Sequence, residues 1–348
     1  MKPACTAAAL SLAALATSAA LAAGPAAKPP VSFSHNDWEL ACDNTRTCRA
    51  AGYQADSGAG EPVSMLITRK AGPGTAIDIE LQTGGEEEAK GTARFKVGKA
   101  TVSGLQAASG SLDDKQVRSV LPELLKSDEA TLTAGGRTWT LSLAGLNAVL
   151  LKMDEAQGRV DTPGALVRRG SKPESSVLPP VPPPVVNAVK PPKARPGDDA
   201  LATRIFPSLK LDDIKEQCNN AEDVSAKSLE VHRLTERKVL LSLGCGMGAY
   251  NYSSLLWIAN DKPPYAPVFL EANGEFDEKE GSVTAGFKGR GIGDCWSSET
   301  WHFDGQGFVR TEATGDGMCR GFAGGAWTLP RYVSRVVSAT PSATPSKP

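Results

Sequence analysis

Histidine, the commonest acid–base and metal-binding side chain, is nearly missing: His35, His232 and His302 are the only three in 348 residues, and none stands at ligand spacing. The chain has no Cys-x-x-Cys pair, no Gly-x-Ser-x-Gly elbow and no complete Asp-x-Asp-x-Asp-Gly loop. Thiol redox, nucleophile-elbow hydrolysis and helix–loop–helix calcium binding lose their usual signatures with them. Asp304, Asp316 and the glycines around them read as turn residues, and neither a metal nor a cofactor is expected. Charge of one sign is also lacking. Thirty-eight basic residues against thirty-nine acidic ones leave a net charge of -1, with no basic stripe to track a phosphate backbone. Nucleic acid is therefore not an expected partner. The short run Glu86-Glu87-Glu88 reads as a solvated loop.

What the chain does have is cysteine in a telling place. Lys2 is followed by an apolar, alanine- and leucine-rich run from Ala7 to Leu21, and Ala20-Leu21-Ala22 offers a small-x-small cleavage pattern. Residues 1–22 read as a secretory signal, cleaved near Ala22, which implies a bacterial periplasmic or secreted protein. The run falls short of the ~20 strongly apolar residues of a membrane span, and no later segment approaches one. Cys5 lies inside the signal, ahead of its apolar core. The remaining six, Cys42, Cys48, Cys218, Cys245, Cys295 and Cys319, form an even set, the mark of a disulfide framework in an oxidising compartment. Cys42 and Cys48 flank the turn residues Asp43-Asn44-Thr45 and can face one another across a hairpin. Cys218–Cys245 and Cys295–Cys319 are the preferred remaining bridges, with two other pairings of those four open.

Composition shifts between Ser171 and Asp199, where nine prolines include Pro182-Pro183-Pro184 and Pro191-Pro192. The expectation is an extended polyproline linker over 171–199, without ladder hydrogen bonds, joining a domain at 31–170 to one at 200–337. The repeated Ser-Ala-Thr-Pro after Val337 reads as a disordered tail, 338–348. In the first domain, alternation predicts strands at Trp38–Cys42, Val63–Ile67, Ile77–Leu81 and Phe95–Val97, and Cys48–Tyr53 is the strand returning from the Asp43-Asn44-Thr45 turn. A helix is predicted around Leu112 to Lys126, kinked or divided by Pro122. A second is predicted after Ser142, with Leu146, Val149, Leu150 and Met153 buried and Gly158 at its end. The second domain should open with a short helix near Leu211 to Cys218 and continue as a glycine-punctuated antiparallel meander, closed or nearly so, with a hairpin at Asp304-Gly305. The fold class is α+β, predominantly antiparallel β, in two disulfide-stapled domains.

The segment Leu240–Gly248 looks like the glycine-rich motif of adenosylmethionine-dependent methyltransferases. Only Ala249 to Asn260 precedes the next acid, Asp261, too little for the helix and strand which that fold requires. Adenosylmethionine binding through Gly244–Gly248 is thus a remote alternative, and Cys245 is better explained as half of a bridge. His302, between Trp301 and Phe303, should point away from both.

Several segments resemble one bacterial family. Asp37-Trp38-Glu39-Leu40-Ala41-Cys42-Asp43-Asn44-Thr45-Arg46-Thr47-Cys48 is similar to the start of exported proteins grouped as domain of unknown function 1176. Met153–Arg159 (carrying Asp154, Gln157 and Arg159), Cys245 with Gly248–Asn251, Gly289–Cys295 and Met318–Gly321 resemble its later motifs. The first domain is more faintly similar to exported domains of the invasion-associated locus B type. The resemblance implies export and a two-part fold but no activity; partnership in host contact rests on the fainter likeness alone.

With no catalytic constellation, a binding or envelope-interaction module is the expected function. Tyr250, Asn251, Asp294, Trp296 and Arg320 are its candidate contact residues, because aromatics and arginine carry interface energy and these lie near bridge cysteines. Against this, Trp296, Trp301 and Trp327 read more readily as core. Another envelope protein or a cell-wall component is the expected partner. The rival is an envelope hydrolase with an unrecognised carboxylate site.

Overall fold

The computed structural model describes residues 30–338, apart from 57–59, 86, 211–213, 215–217, 219–223 and 271–273. The expected signal at 1–22, most of the tail, Glu86 and most of the expected helix at Leu211–Cys218 lie outside the described residues.

Strands β1 (Val31–His35), β2 (Trp38–Cys42), β3 (Cys48–Tyr53), β4 (Val63–Arg69) and β5 (Ile77–Thr83) follow one another. Next come β6 (Thr92–Val97), β7 (Ala100–Gln106), β8 (Ser109–Ser111), helix α1 (Asp114–Leu124), β9 (Glu129–Ala134), β10 (Arg137–Ser142) and helix α2 (Leu146–Gln157). They build a six-stranded sheet in the order β1-β2-β3-β4-β5-β8 and a four-stranded sheet in the order β10-β9-β6-β7. Both sheets and both helices share one core running from Trp38 to Leu166, which includes Met65, Ile67, Phe95, Trp139, Leu146 and Met153.

Helix α1 begins at a capping box, with Asp113 accepting from the Gln116 backbone and the Gln116 side chain returning to the Asp113 N–H. Pro122 lies within its last turn, so the i→i−4 bond it forfeits falls at the helix end, and the helix stays in one piece rather than dividing. For α2 the expected Ser142 cap is displaced. Ser142 ends β10, its carbonyl accepts from Trp38 Nε1 at 2.9 Å, and Gly145 caps the helix at φ +101°. A Cβ there would overlap the His35 carbonyl, so glycine is demanded by both φ and space.

Strand β11 (Val185–Ala188) comes next, then helix α3 (Ala200–Ile205), β12 (Leu229–Arg233), β13 (Lys238–Met247), β14 (Tyr252–Asn260), β15 (Val268–Leu270) and β16 (Glu275–Asp277). The described chain closes with β17 (Ser282–Lys288), β18 (Trp296–Phe303), β19 (Phe308–Gly315), β20 (Leu329–Val333) and β21 (Arg335–Ser338). Instead of one closed meander these form two sheets, β12-β13-β14-β15 and β16-β17-β18-β19-β20. Strand β14 explains why. Leu255, Trp257 and Ala259 pack with α3, while Leu256 and Ile258 meet Val283 and Phe303 of the other sheet. A strand covered on both faces reads as an uninterrupted apolar run, as Leu255–Ala259 does.

Every strand pairing among the described residues is antiparallel except that of β11 with β21. That exception corrects the reading of the proline-rich segment as free of ladder bonds. Val185–Ala188 retains its N–H groups between the prolines, and Val186 and Ala188 are buried. The rest of the segment is tied down too. The Val181 N–H reaches the Thr45 carbonyl, Leu178 donates to Gln157, and Val189 donates to Phe303.

Three bridges staple the chain, Cys42–Cys48, Cys218–Cys245 and Cys295–Cys319, with Cα separations of 4.0, 4.6 and 4.7 Å. In the first hairpin, Asp43 Oδ1 gathers the Thr45 N–H, the Thr45 hydroxyl and the Thr47 N–H. This is local side-chain turn chemistry, and it holds the two cysteines opposite one another.

The outer face of the six-stranded sheet is covered as well. Ala41, Ala51, Tyr53 and Leu66 pack against Phe322, Ala326 and Leu329 from the far end of the sequence. Small residues on β2 and β3 admit these bulky ones. Polar contacts complete the joint: Asn44 exchanges two hydrogen bonds with the Val333 backbone, and Trp327 Nε1 donates to Ser64 Oγ at 2.7 Å.

Candidate ligand-binding cleft

Beyond the Leu256–Val283–Phe303 core, strands β14, β17 and β18 continue past their apolar filling. There Tyr252, Ala285, Phe287, Ser297, Glu299 and Trp301, with Glu275 of β16, line a cleft of about 870 Å3. Tyr250, Asn251 and Trp296 lie along the same cleft. Exposed aromatic surface is concentrated here: Tyr250, Tyr252, Phe287 and Trp296 are among the few large apolar side chains left open to solvent among the described residues.

The rim is a built arrangement. Asn251 uses its whole amide on the Lys288 backbone, donating to the carbonyl at 3.0 Å and accepting from the N–H at 2.7 Å. With its backbone fixed, Lys288 holds its ammonium 5.9 Å from the Tyr250 ring centre and 5.4 Å from that of Trp296, a cation between two π faces. Trp296 is fixed in turn by donating Nε1 to the Gly293 carbonyl at 3.1 Å. The next residue, Cys295, is bridged to Cys319. Among the described residues two charged side chains line the cleft itself, Glu275 and Glu299, both acidic; Glu299 has a loose ion pair with Arg310 at 3.8 Å.

The five candidate contact residues thus separate. Tyr250 and Trp296 face the cleft with their rings available. Asn251 lines it, but its amide is engaged. Asp294 and Arg320 sit elsewhere. Asp294 is buried, paired with Arg290 and accepting from the Gly321 N–H at 2.7 Å, contacts that hold its carboxyl below the usual range. Arg320 reaches across to the first half of the chain, pairing with Asp37 at 3.0 Å and Asp56 at 3.1 Å. Arg320 thus serves the joint between the two halves, while Asp294 ties together the segments that carry Arg290 and Gly321. Asp294 also lies close to Cys295 and Cys319, but these sulfurs are bonded to one another and its oxygens are taken.

The motif Met153–Arg159 is likewise interior. Asp154 Oδ2 accepts from the Leu166 and Val167 N–H groups, and Gln157 Nε2 donates to the carbonyls of Arg46 and Arg69. Arg159, fully buried, donates to the Gln157 side chain, the Lys70 and Gly72 carbonyls and Thr75 Oγ1. Burial raises the Asp154 carboxyl and lowers the Arg69 guanidinium to about 10. The motif knots three loops to the end of α2. Trp38 is core as well, lying flat over Gly52, where a Cβ would overlap its indole.

Gly244, Gly246 and Gly248 do not form a strand–loop–helix turn. Gly244 pairs with Ser254 inside the β13–β14 hairpin, and the chain returns antiparallel rather than entering a helix. The Tyr252 hydroxyl occupies the space above Gly244 where a side chain would be. His302 turns from the core to Thr311 Oγ1 at 2.8 Å. Trp301 packs against the core and Trp327 fills the joint. Sequence reasoning missed Phe287, Lys288, Glu275 and Glu299; the alternation of β17 past Val283, Ala285 and Phe287 was the available signal.

Fold and cleft together define a disulfide-stapled, mainly antiparallel β protein with an open aromatic groove. The chain belongs to the family described as "Protein of unknown function (DUF1176)", whose sequence profile matches residues 32–334. It is similar to "Uncharacterized protein YpfG" of Escherichia coli (strain K12), 28% identical over 331 residues covering 86% of this chain and 92% of that protein. Among solved structures it shows a faint likeness to invasion associated protein b from Bartonella henselae, with 14% identity and a TM-score of 0.29. That likeness spans 37% of this chain and 99% of the other, and at such a score it carries no argument.

Proposed function

We propose that this protein is an exported, periplasmic binding module that attaches to an envelope component through the aromatic cleft. The cleft carries the proposal: about 870 Å3 of open space beside Tyr250, Tyr252, Phe287 and Trp296, within the ~300–1,000 Å3 range of ligand sites. Aromatic side chains left in solvent cost the fold hydrophobic stabilisation, and a recognition surface gives a reason for leaving them there. Three disulfides support an oxidising location. Among the described residues no helix is long and apolar enough to cross a membrane, which agrees with attachment by binding. Two units, each with its own core and docked through the Tyr53–Phe322 contact, form the framework.

The test is retention of purified protein on isolated envelope fractions and on peptidoglycan, beside a charge-matched control protein. Enrichment that drops in Trp296→Ala supports the reading; retention no better than the control overturns it. The hydrolase reading draws on Glu275 and Glu299 lining one cleft. Release of soluble fragments by the wild type but not by Glu299→Gln would favour it over binding alone.

A further inference from the structure

The chemistry of the cleft says more about its occupant than that one exists. Its apolar surface consists of aromatic faces, while Ser253, Ser297, Glu275 and Glu299 place hydroxyls and carboxylates between them. A purely apolar ligand would strip water from these groups and return nothing, at a cost for each buried unsatisfied group. A sugar ring suits both: its C–H face stacks on an aromatic ring and its rim of hydroxyls donates to carboxylates. Charge narrows the class further. Among the described residues both charged side chains that line the cleft are acidic, and the cations beside it are already engaged, Arg310 loosely with Glu299 at 3.8 Å and Lys288 between the Tyr250 and Trp296 rings. That contact also demonstrates that the rim accommodates an ammonium group.

We infer that the cleft takes a short oligosaccharide bearing free amino and hydroxyl groups and excludes polyanionic glycans, an inference that rests on the cleft being the binding surface. Complementary charge sets the preference, and the aromatic faces supply the bulk of the affinity.

Isothermal titration of the whole protein with three probes tests this: tetramers of glucosamine, N-acetylglucosamine and galacturonic acid. The glucosamine tetramer should bind at least about tenfold more tightly than its N-acetylated counterpart, and the galacturonate tetramer should not bind. Glu299→Gln should shrink the preference for the amine to within about threefold. Trp296→Ala and Phe287→Ala should weaken the glucosamine tetramer by about tenfold or more. Phe287 is 57% exposed, so its loss leaves the core intact even if Trp296→Ala disturbs β18. Binding of the galacturonate tetramer as tight as that of the amine, or a preference unchanged in Glu299→Gln, overturns the inference. If no tetramer binds while retention on envelope fractions persists and falls in Phe287→Ala, the sugar class is wrong and the cleft stands. If retention is absent too, both fall.

Discussion

Replacing Arg320 by Met separates a structural residue from a binding one. The Arg320 guanidinium lies 3.0 Å from Asp37, and both side chains are nearly buried, at 9% and 12% exposure. Its other partner, Asp56, is 84% exposed at 3.1 Å. Methionine preserves the packing of the stem but leaves Asp37 charged, desolvated and unpaired. Breaking a buried pair from one side costs ~3–5 kcal/mol, and the residual access of water to Asp37 places this case near ~3 kcal/mol. The exposed Asp56 contact adds ~1 kcal/mol at most. Urea denaturation followed by tryptophan fluorescence reads the change, because Trp327 packs in the same joint. Adding Asp37→Asn removes the stranded charge and should restore about half of the loss. Retention on envelope fractions should be unchanged under native conditions. A loss below ~1 kcal/mol, or lost retention at undiminished stability, would refute the assignment of Arg320 to the joint.

Other outcomes follow from the same reasoning. Burial raises the Glu39 carboxyl above its ordinary 4.5, although Tyr53 donates to it at 3.0 Å. A folded-state value above the unfolded one contributes stability at low pH that is lost as pH rises through the folded value. Glu39→Gln, which keeps the acceptor, should therefore stabilise the protein near neutrality and match the wild type below pH 4.5 in urea titrations. Asp294 behaves oppositely: paired with Arg290, its carboxyl is held below 3.8, so its contribution is full above that pH and lost as pH falls through the folded value; Asp294→Asn should flatten that acid limb. Gly52→Ala would drive a methyl into the Trp38 indole and should destabilise by ~3 kcal/mol or more in the same assay, or leave no soluble protein. Removing the Cys295–Cys319 bridge with a double serine substitution frees a loop of sequence separation 24 and should cost about 3–4 kcal/mol.

Local chemistry was readable before the structure. The Cys42–Cys48 hairpin, the alternating strands β4 to β6 and the buried face of α2 all depend on contacts a few residues apart or on a simple period. The joint was not readable. Tyr53 meets Met318 and Gln54 meets Arg320 across more than 260 residues, and nothing local distinguishes Arg320 from an arginine that awaits a partner. One trace does exist: the apolar run Ala50–Tyr53 in β3 fits a strand covered on both faces, which its reading as the return strand of a hairpin does not use. The proline-rich segment misled for a similar reason. Proline count describes most of it, but four residues with free N–H groups suffice for β11 to pair with β21. Of the candidate contact residues, Tyr250, Asn251 and Trp296 reached the cleft. Asp294 and Arg320 were chosen for a type that serves joints as readily as ligands.

The most direct test of the cleft as the functional surface is hydrogen–deuterium exchange of the whole protein with and without isolated peptidoglycan or envelope fragments. Protection should appear in peptides covering 248–254, 284–288 and 296–301. Protection confined to other surfaces, or none at saturating fragment concentration, would contradict the account.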